Sequence, residues 1–158
     1  MGLFDKLFGK KEEINPNHVY APMAGEAVAI SEVPDPTFSS GMMGNGIAIQ
    51  PVSGKVCSPV NGTVDMMFDT GHAVTLVSDN GIEILIHVGL ETVGLEGKPF
   101  QVKVTNGQKV KKGDVLMIAD LEAIKAAGLP TITPVLICNT DDYPTFKTHV
   151  GTAVLKKA

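Results

Sequence analysis

The chain has no arginine and no tryptophan, and all 13 of its basic residues are lysine. Arginine's planar fork is the usual bidentate partner of phosphates and guanine edges. Its absence, with a net charge of −4, argues against nucleic acid as a ligand. Aromatic residues make up 5% of the chain, so any core must be built from aliphatic side chains and methionine. The two cysteines, Cys57 and Cys138, stand far apart in apolar contexts, and there is no C-x-x-C. Free buried thiols in a reducing compartment are expected rather than a disulfide. No signal peptide is visible, and no apolar run reaches the roughly 20 residues that cross a bilayer. No G-x-x-x-x-G-K-[ST] is present, which removes the usual nucleotide-dependent kinase.

What the chain has is glycine (17), proline (10) and a 44% apolar fraction over 158 residues. That is enough for one domain with a real core, and it suits a turn-rich β protein. Alternation and turn signals predict strands at 19–21, 25–31, 47–50, 55–57, 62–68, 72–78, 82–89, 100–104, 115–120, 134–139 and 150–155. One helix is predicted at 121–128, where Gly128 and then Pro130 supply the stop. Shorter helical turns fit 36–42 and 141–146. Two short strings recur: "APMAGEAV" (21–28) resembles "SPVNGTV" (58–64), and "GNGIAI" (44–49) resembles "DNGIEI" (79–84). The nearly equal offsets point to an internal duplication, and so to a sandwiched or closed β fold.

Residues 1–13 stand apart as a tail from the body at 14–158. Leu3, Phe4, Leu7 and Phe8 would share one side of a helix flanked by lysines. Two readings stay open: a frayed tail, or a weak helix that touches anionic lipid.

Of the four histidines, His18 and His149 fit exposed structural roles. His87 is different. In "GIEILIHVG", Ile82, Ile84 and Ile86 share one strand face, and Glu83, Leu85 and His87 share the other. A carboxylate is costly to bury unpaired, so the Glu83 face is expected to be the open one. A lone histidine is more often structural than functional. The turn "SDNG", however, joins this strand to "HAVTLV" in a hairpin whose paired numbers sum to about 160, which sets His87 opposite position 73, beside His72. Thr70 lies two residues further back. Such a pair could bind a metal with further ligands, act as general acid and base, or carry a phosphoryl group on one ring nitrogen.

With these residues in hand, the chain resembles the glucose-type enzyme IIA family of the bacterial phosphoenolpyruvate-dependent sugar phosphotransferase system. The stretches that carry the resemblance are "APMAGEAV", "VPDPTFSSGMMGNGIAI", "SPVNGTV", "TGHAVTLVSDNGIEILIHVGLETVGLEGKPF" and "GQKVKKGDVLMIADL". The resemblance implies an all-β, antiparallel β-sandwich of duplicated, barrel-like character with one or two short helices. It implies that His87 accepts a phosphoryl group through Nε2 from the phosphohistidine of HPr. The group then passes to a cysteine on the IIB domain of a sugar permease. His72 is implied to contact the phosphoryl group, and Thr70 to orient His72. An apolar docking rim is implied at Phe38, Met42, Met43, Phe68, Leu85 and Val93, with acidic Asp35 and Glu91 at its edge. Gly71 and Asn45 replace more polar residues common in relatives. No cofactor is implied, though the two histidines could hold zinc. The expected protein is a cytoplasmic monomer, transiently at the inner face of the membrane, whose phosphorylation state also regulates permeases or metabolic enzymes. A biotinyl or lipoyl carrier would need an M-K-M or D-K-A hairpin tip, and a zinc peptidase of related architecture an H-x-H pair. The chain has neither.

Overall fold

A computed structural model describes residues 15–149 and 151–153 of the chain. The amphipathic segment at 1–13 lies outside the described residues. Eleven strands run in order: β1 (Gly25–Ala29), β2 (Asn45–Pro51), β3 (Lys55–Cys57), β4 (Gly62–Met67), β5 (Ala73–Ser78), β6 (Glu83–His87), β7 (Phe100–Val102), β8 (Lys109–Val110), β9 (Val115–Ala119), β10 (Thr133–Ile137) and β11 (Gly151–Ala153). Two short helices join them, α1 (Pro36–Ser39) and α2 (Leu121–Ala126). Among the described residues, no helix is long and apolar enough to cross a membrane.

The strands form an eight-stranded sheet, ordered β11-β1-β2-β10-β6-β5-β4-β8, and a three-stranded sheet, β3-β9-β7. Every described pairing is antiparallel. The all-β sandwich expectation therefore holds, but the barrel-like part does not. The large sheet ends in two edges, β11 and β8, and does not close. The repeated strings explain one feature of its order. β2, which opens with the first "NGI", and β6, which follows directly on the second at 80–82, both flank β10. Their registers differ, though: Ile49 pairs with Thr133, whereas its counterpart Ile84 pairs with Ile137.

Two apolar clusters hold the layers. The larger lies between the sheets, with Val56, Leu116, Met117 and Phe100 facing Ile49, Val64, Leu76, Ile84 and Ile86. The smaller lies on the other face of the large sheet. There Val33, Phe38, Leu90 and Ile132 cover Ala48, Ala73, Leu85 and Leu136. This second layer corrects the alternation argument about Glu83. The carboxylate is exposed at the strand's start, but Leu85 on the same face is 5% exposed. Long segments outside the strands cover it, and strand periodicity carries no sign of them. Burying such a leucine contributes about 1.5–3 kcal/mol.

Other differences are local. The expected strand at 19–21 is an irregular segment whose backbone is tied by the Tyr20 amide donating to the Pro59 carbonyl at 3.0 Å. β8 was not anticipated, because two residues carry no periodicity. The strand expected over 82–89 stops at His87, since Gly89 turns the chain at φ +74. Helix α2 starts on Asp120, whose carboxylate accepts from the Ala123 amide at 3.1 Å, and gives way to Gly128 at φ +77, as the stop signals suggested. Cys57 is buried and Cys138 exposed, and both are free.

Candidate functional site

The β5–β6 hairpin pairs Ala73 with His87, as the turn arithmetic expected. The ladder runs one step further: the Val88 amide donates to the His72 carbonyl at 2.7 Å. Strict alternation would turn the His72 side chain away from His87. It does not apply, because β5 begins only at Ala73. The preceding turn, with the Gly71 amide donating to the Phe68 carbonyl at 2.8 Å and Gly71 at φ +69, re-aims the chain. A Cβ on Gly71 would stand 2.8 Å from the Cβ of Phe100, so glycine is required there for space as well as conformation. The result is two imidazoles with ring centroids 5.0 Å apart at 79°.

Each ring is held through Nδ1. His87 Nδ1 lies 2.7 Å from the Gly89 carbonyl. A carbonyl only accepts, so the proton sits on Nδ1 and the lone pair of the neutral ring is on Nε2. His72 Nδ1 lies 2.6 Å from Thr70 Oγ1. Burial pushes His72 down to about 4, with the neighbouring His87 adding to the effect. Burial also lowers His87, against the Gly89 carbonyl and the Asp35 carboxylate, which favour the charged form. Both rings are therefore neutral at pH 7, which is the state a nitrogen nucleophile requires.

Aromatic walls flank the pair. Phe38 meets His87 at a centroid distance of 4.9 Å, and Phe68 meets His72 edge-on at 5.4 Å. Asp35 caps α1 by accepting from the Thr37 amide at 2.9 Å. Its place among the groups that act on His87 puts its carboxylate near the site. Among the described residues, no cluster of three or more histidines, cysteines or carboxylates could hold a metal ion. The two histidines would supply half of a tetrahedral zinc set and no more.

The structure thus brings together Thr70, His72, His87, Asp35, Phe38 and Phe68. The residues expected to form a docking rim differ in exposure. Met42 (77% exposed), Met43 (40%) and Val93 (54%) face solvent, as does Glu91. Phe38 and Leu85, both 5% exposed, belong instead to the smaller apolar cluster. His18 and His149 are exposed and take no part. Sequence reasoning missed Met66, which is 47% exposed on the face that carries His87. A β-bulge at Asp65 shifts the register between Val64 and Met66, and no local sequence pattern announces it. It also missed Gly89 as the partner of His87.

A small all-β domain thus presents two neutral, oriented histidines on an aromatic-walled face, an arrangement that leaves a ring nitrogen available for chemistry. Comparison with known proteins gives that arrangement a family. Residues 17–143 match the family described as phosphoenolpyruvate-dependent sugar phosphotransferase system, EIIA 1. A relative from Bacillus cereus, named PTS system glucose-specific EIIA component, is 49% identical over 98% of this chain and 93% of its own length. One of the same name from Staphylococcus aureus is 44% identical over the same shares. The solved glucose permease IIA from Mycoplasma capricolum superposes with a TM-score of 0.81 at 34% identity, covering 85% of this chain and 88% of that one. The chain belongs to this EIIA family and is a phosphoryl carrier component of the sugar phosphotransferase system.

Proposed function

We propose that His87 is the phosphoryl acceptor. Its Nε2 lone pair attacks the phosphorus of a phosphohistidine on HPr. The new N–P bond forms as the donor's N–P bond breaks; the donor ring, protonated on its other nitrogen, leaves as neutral imidazole, and the phosphorylated His87 ring keeps its Nδ1 proton on the Gly89 carbonyl. In the second step a cysteine thiolate on the IIB domain of a permease attacks the same phosphorus, and His87 is released. The two N–P bonds of the first step are similar in energy, so the task is positioning and charge stabilisation. One observation carries this reading: the bond from His87 Nδ1 to the Gly89 carbonyl, which leaves Nε2 free.

His72 donates from Nε2–H to a phosphoryl oxygen. In this reading the Thr70 hydroxyl, 2.6 Å from Nδ1, donates to it, and the ring proton sits on Nε2. His72 is neutral before the group arrives, and the chain has no arginine. Positive charge at the transferring group must therefore come from the partner, or from His72 once the group has arrived. Asp35 and Glu91, with the exposed Met42, Met43 and Val93, suit a partner that is basic around an apolar centre.

The relatives' names point to glucose as the sugar. Phosphorylation would add about −1.5 to −2 charges to an apolar, acid-edged face, enough to change which proteins dock there. The same face would then serve as a regulatory signal for permeases or metabolic enzymes in the cytoplasm. The test is incubation with phosphoenolpyruvate, enzyme I and HPr, followed by intact mass under alkaline conditions. One phosphoryl group should appear on the wild-type chain and none on His87→Ala. Phosphorylation of His87→Ala would move the acceptor elsewhere.

A further inference from the structure

Thr92 is fully buried, and no step above uses it. It opens the 3-10 turn Thr92–Leu95. Its hydroxyl donates back to the Val88 carbonyl, and its Cγ2 stands 2.7 Å from where a Cβ on Gly89 would be. The amide of Val88 in turn donates to the His72 carbonyl at 2.7 Å. The loop Val88–Thr92 is therefore fastened at one end to the backbone of His72 and at the other by the Thr92 hydroxyl. Between them, the Leu90 amide donates to the Pro130 carbonyl at 3.2 Å.

Inside this loop two residues have positive φ, Gly89 at +74 and Glu91 at +62. A side chain in the left-handed region costs on the order of 1–2 kcal/mol. The loop holds that shape because its closing bonds offset the cost. The carbonyl that orients His87 belongs to Gly89, in the middle of the loop.

We propose that Thr92 is a positioning residue for the phosphoryl-accepting nitrogen. By closing the turn, its buried hydroxyl aims the Gly89 carbonyl at His87 Nδ1 and so keeps the lone pair on Nε2. The inference rests on His87 being the acceptor. Without the hydroxyl, the Val88 carbonyl loses its side-chain partner and Gly89 is free to rotate. The imidazole can then carry its proton on Nε2, the form with no nucleophilic nitrogen at the site.

Two variants test it. Thr92→Val keeps the shape and removes the hydroxyl, whereas Thr92→Ser keeps the hydroxyl and removes the methyl. Long-range 1H–15N NMR reads the protonated nitrogen of each histidine on the unphosphorylated protein, and a rapid-quench assay reads uptake from phospho-HPr. Thr92→Val should populate the Nε2–H form of His87, leave the His72 ring unchanged, and slow uptake about tenfold or more. Thr92→Ser should retain both the wild-type proton position and the wild-type rate. An unmoved His87 in Thr92→Val overturns the proposal, and so does a His87 in Thr92→Ser that has lost its Nδ1 proton. The serine variant alone decides the matter if the valine variant does not fold. Failure of His87 as acceptor would instead show as uptake retained in His87→Ala, a separate result from an unmoved proton.

Discussion

Thr70 Oγ1 lies 2.6 Å from His72 Nδ1, so this hydroxyl is the hydrogen-bond partner that holds the Nδ1 side of the His72 ring. A hydroxyl can donate to Nδ1, and a methyl cannot. Thr70→Val should therefore leave His87 able to take up the group, because Nε2 of His87 is set by Gly89. Onward transfer to IIB should slow about tenfold or more, since His72 would no longer be fixed as an Nε2–H donor. Thr70→Ser should restore it. Single-turnover transfer from the phosphorylated chain to IIB separates the two steps. Normal onward transfer in Thr70→Val would remove Thr70 from the mechanism.

His72→Gln tests the same step from the other side. Glutamine can still donate to an oxygen but cannot become a cation. The variant should be phosphorylated by HPr and should pass the group on poorly. Unimpaired transfer to IIB would show that His72 acts through its hydrogen bond alone and that its charge plays no part.

The charge state of His72 should respond to the phosphoryl group. In the free protein, burial holds it down to about 4. A phosphoryl group on His87 adds about −1.5 to −2 charges within contact range, and an adjacent anion favours imidazolium. The His72 pKa should therefore rise on phosphorylation. An NMR titration of both forms checks this, and an unchanged midpoint would mean that the group does not lie against His72.

The hairpin, its register and the paired histidines were legible because period-2 alternation and a short turn constrain each other tightly. Ala73 pairs with His87 as the numbers required. Leu85 was misjudged for a physical reason: its face is covered by Val33, Phe38, Leu90 and Ile132, which come from outside the strand. Alternation says which residues share a face and not what lies over it. Met66 was missed because a bulge breaks the period that would have placed it. Gly89 and Thr92 act through a carbonyl and a buried hydroxyl, and "GLET" carries no mark of either role.

Acid should weaken the fold through His72. Its folded pKa is about 4, against an ordinary 6.5. Between these values the unfolded chain binds more protons than the folded one, so stability rises with pH across the window. It is intact above about 6.5 and is progressively lost as pH falls towards 4. His72→Gln has no such group and should show a flatter decline over that range. Urea midpoints measured from pH 7 down to 4.5 give the comparison, and parallel slopes for the two proteins would contradict it.

Met66 and Leu85 should respond oppositely to substitution. Met66 is 47% exposed on the face that carries His87. Replacing it with aspartate removes no core contact and adds charge to an already acidic edge. Stability should stay within about 0.5 kcal/mol. Affinity for HPr should fall about tenfold, as expected for an apolar contact inside a docking patch. Leu85 is 5% exposed beneath Phe38, and truncating a buried leucine costs about 2–5 kcal/mol. Leu85→Ala should therefore lower the urea midpoint sharply. At a temperature where the variant remains folded, its affinity for HPr should change by less than that of Met66→Asp. Calorimetric titration with HPr and urea denaturation, run on both variants, give four numbers. If Leu85→Ala loses affinity with its stability intact, Leu85 is a contact residue after all and the second apolar layer does not cover it in solution.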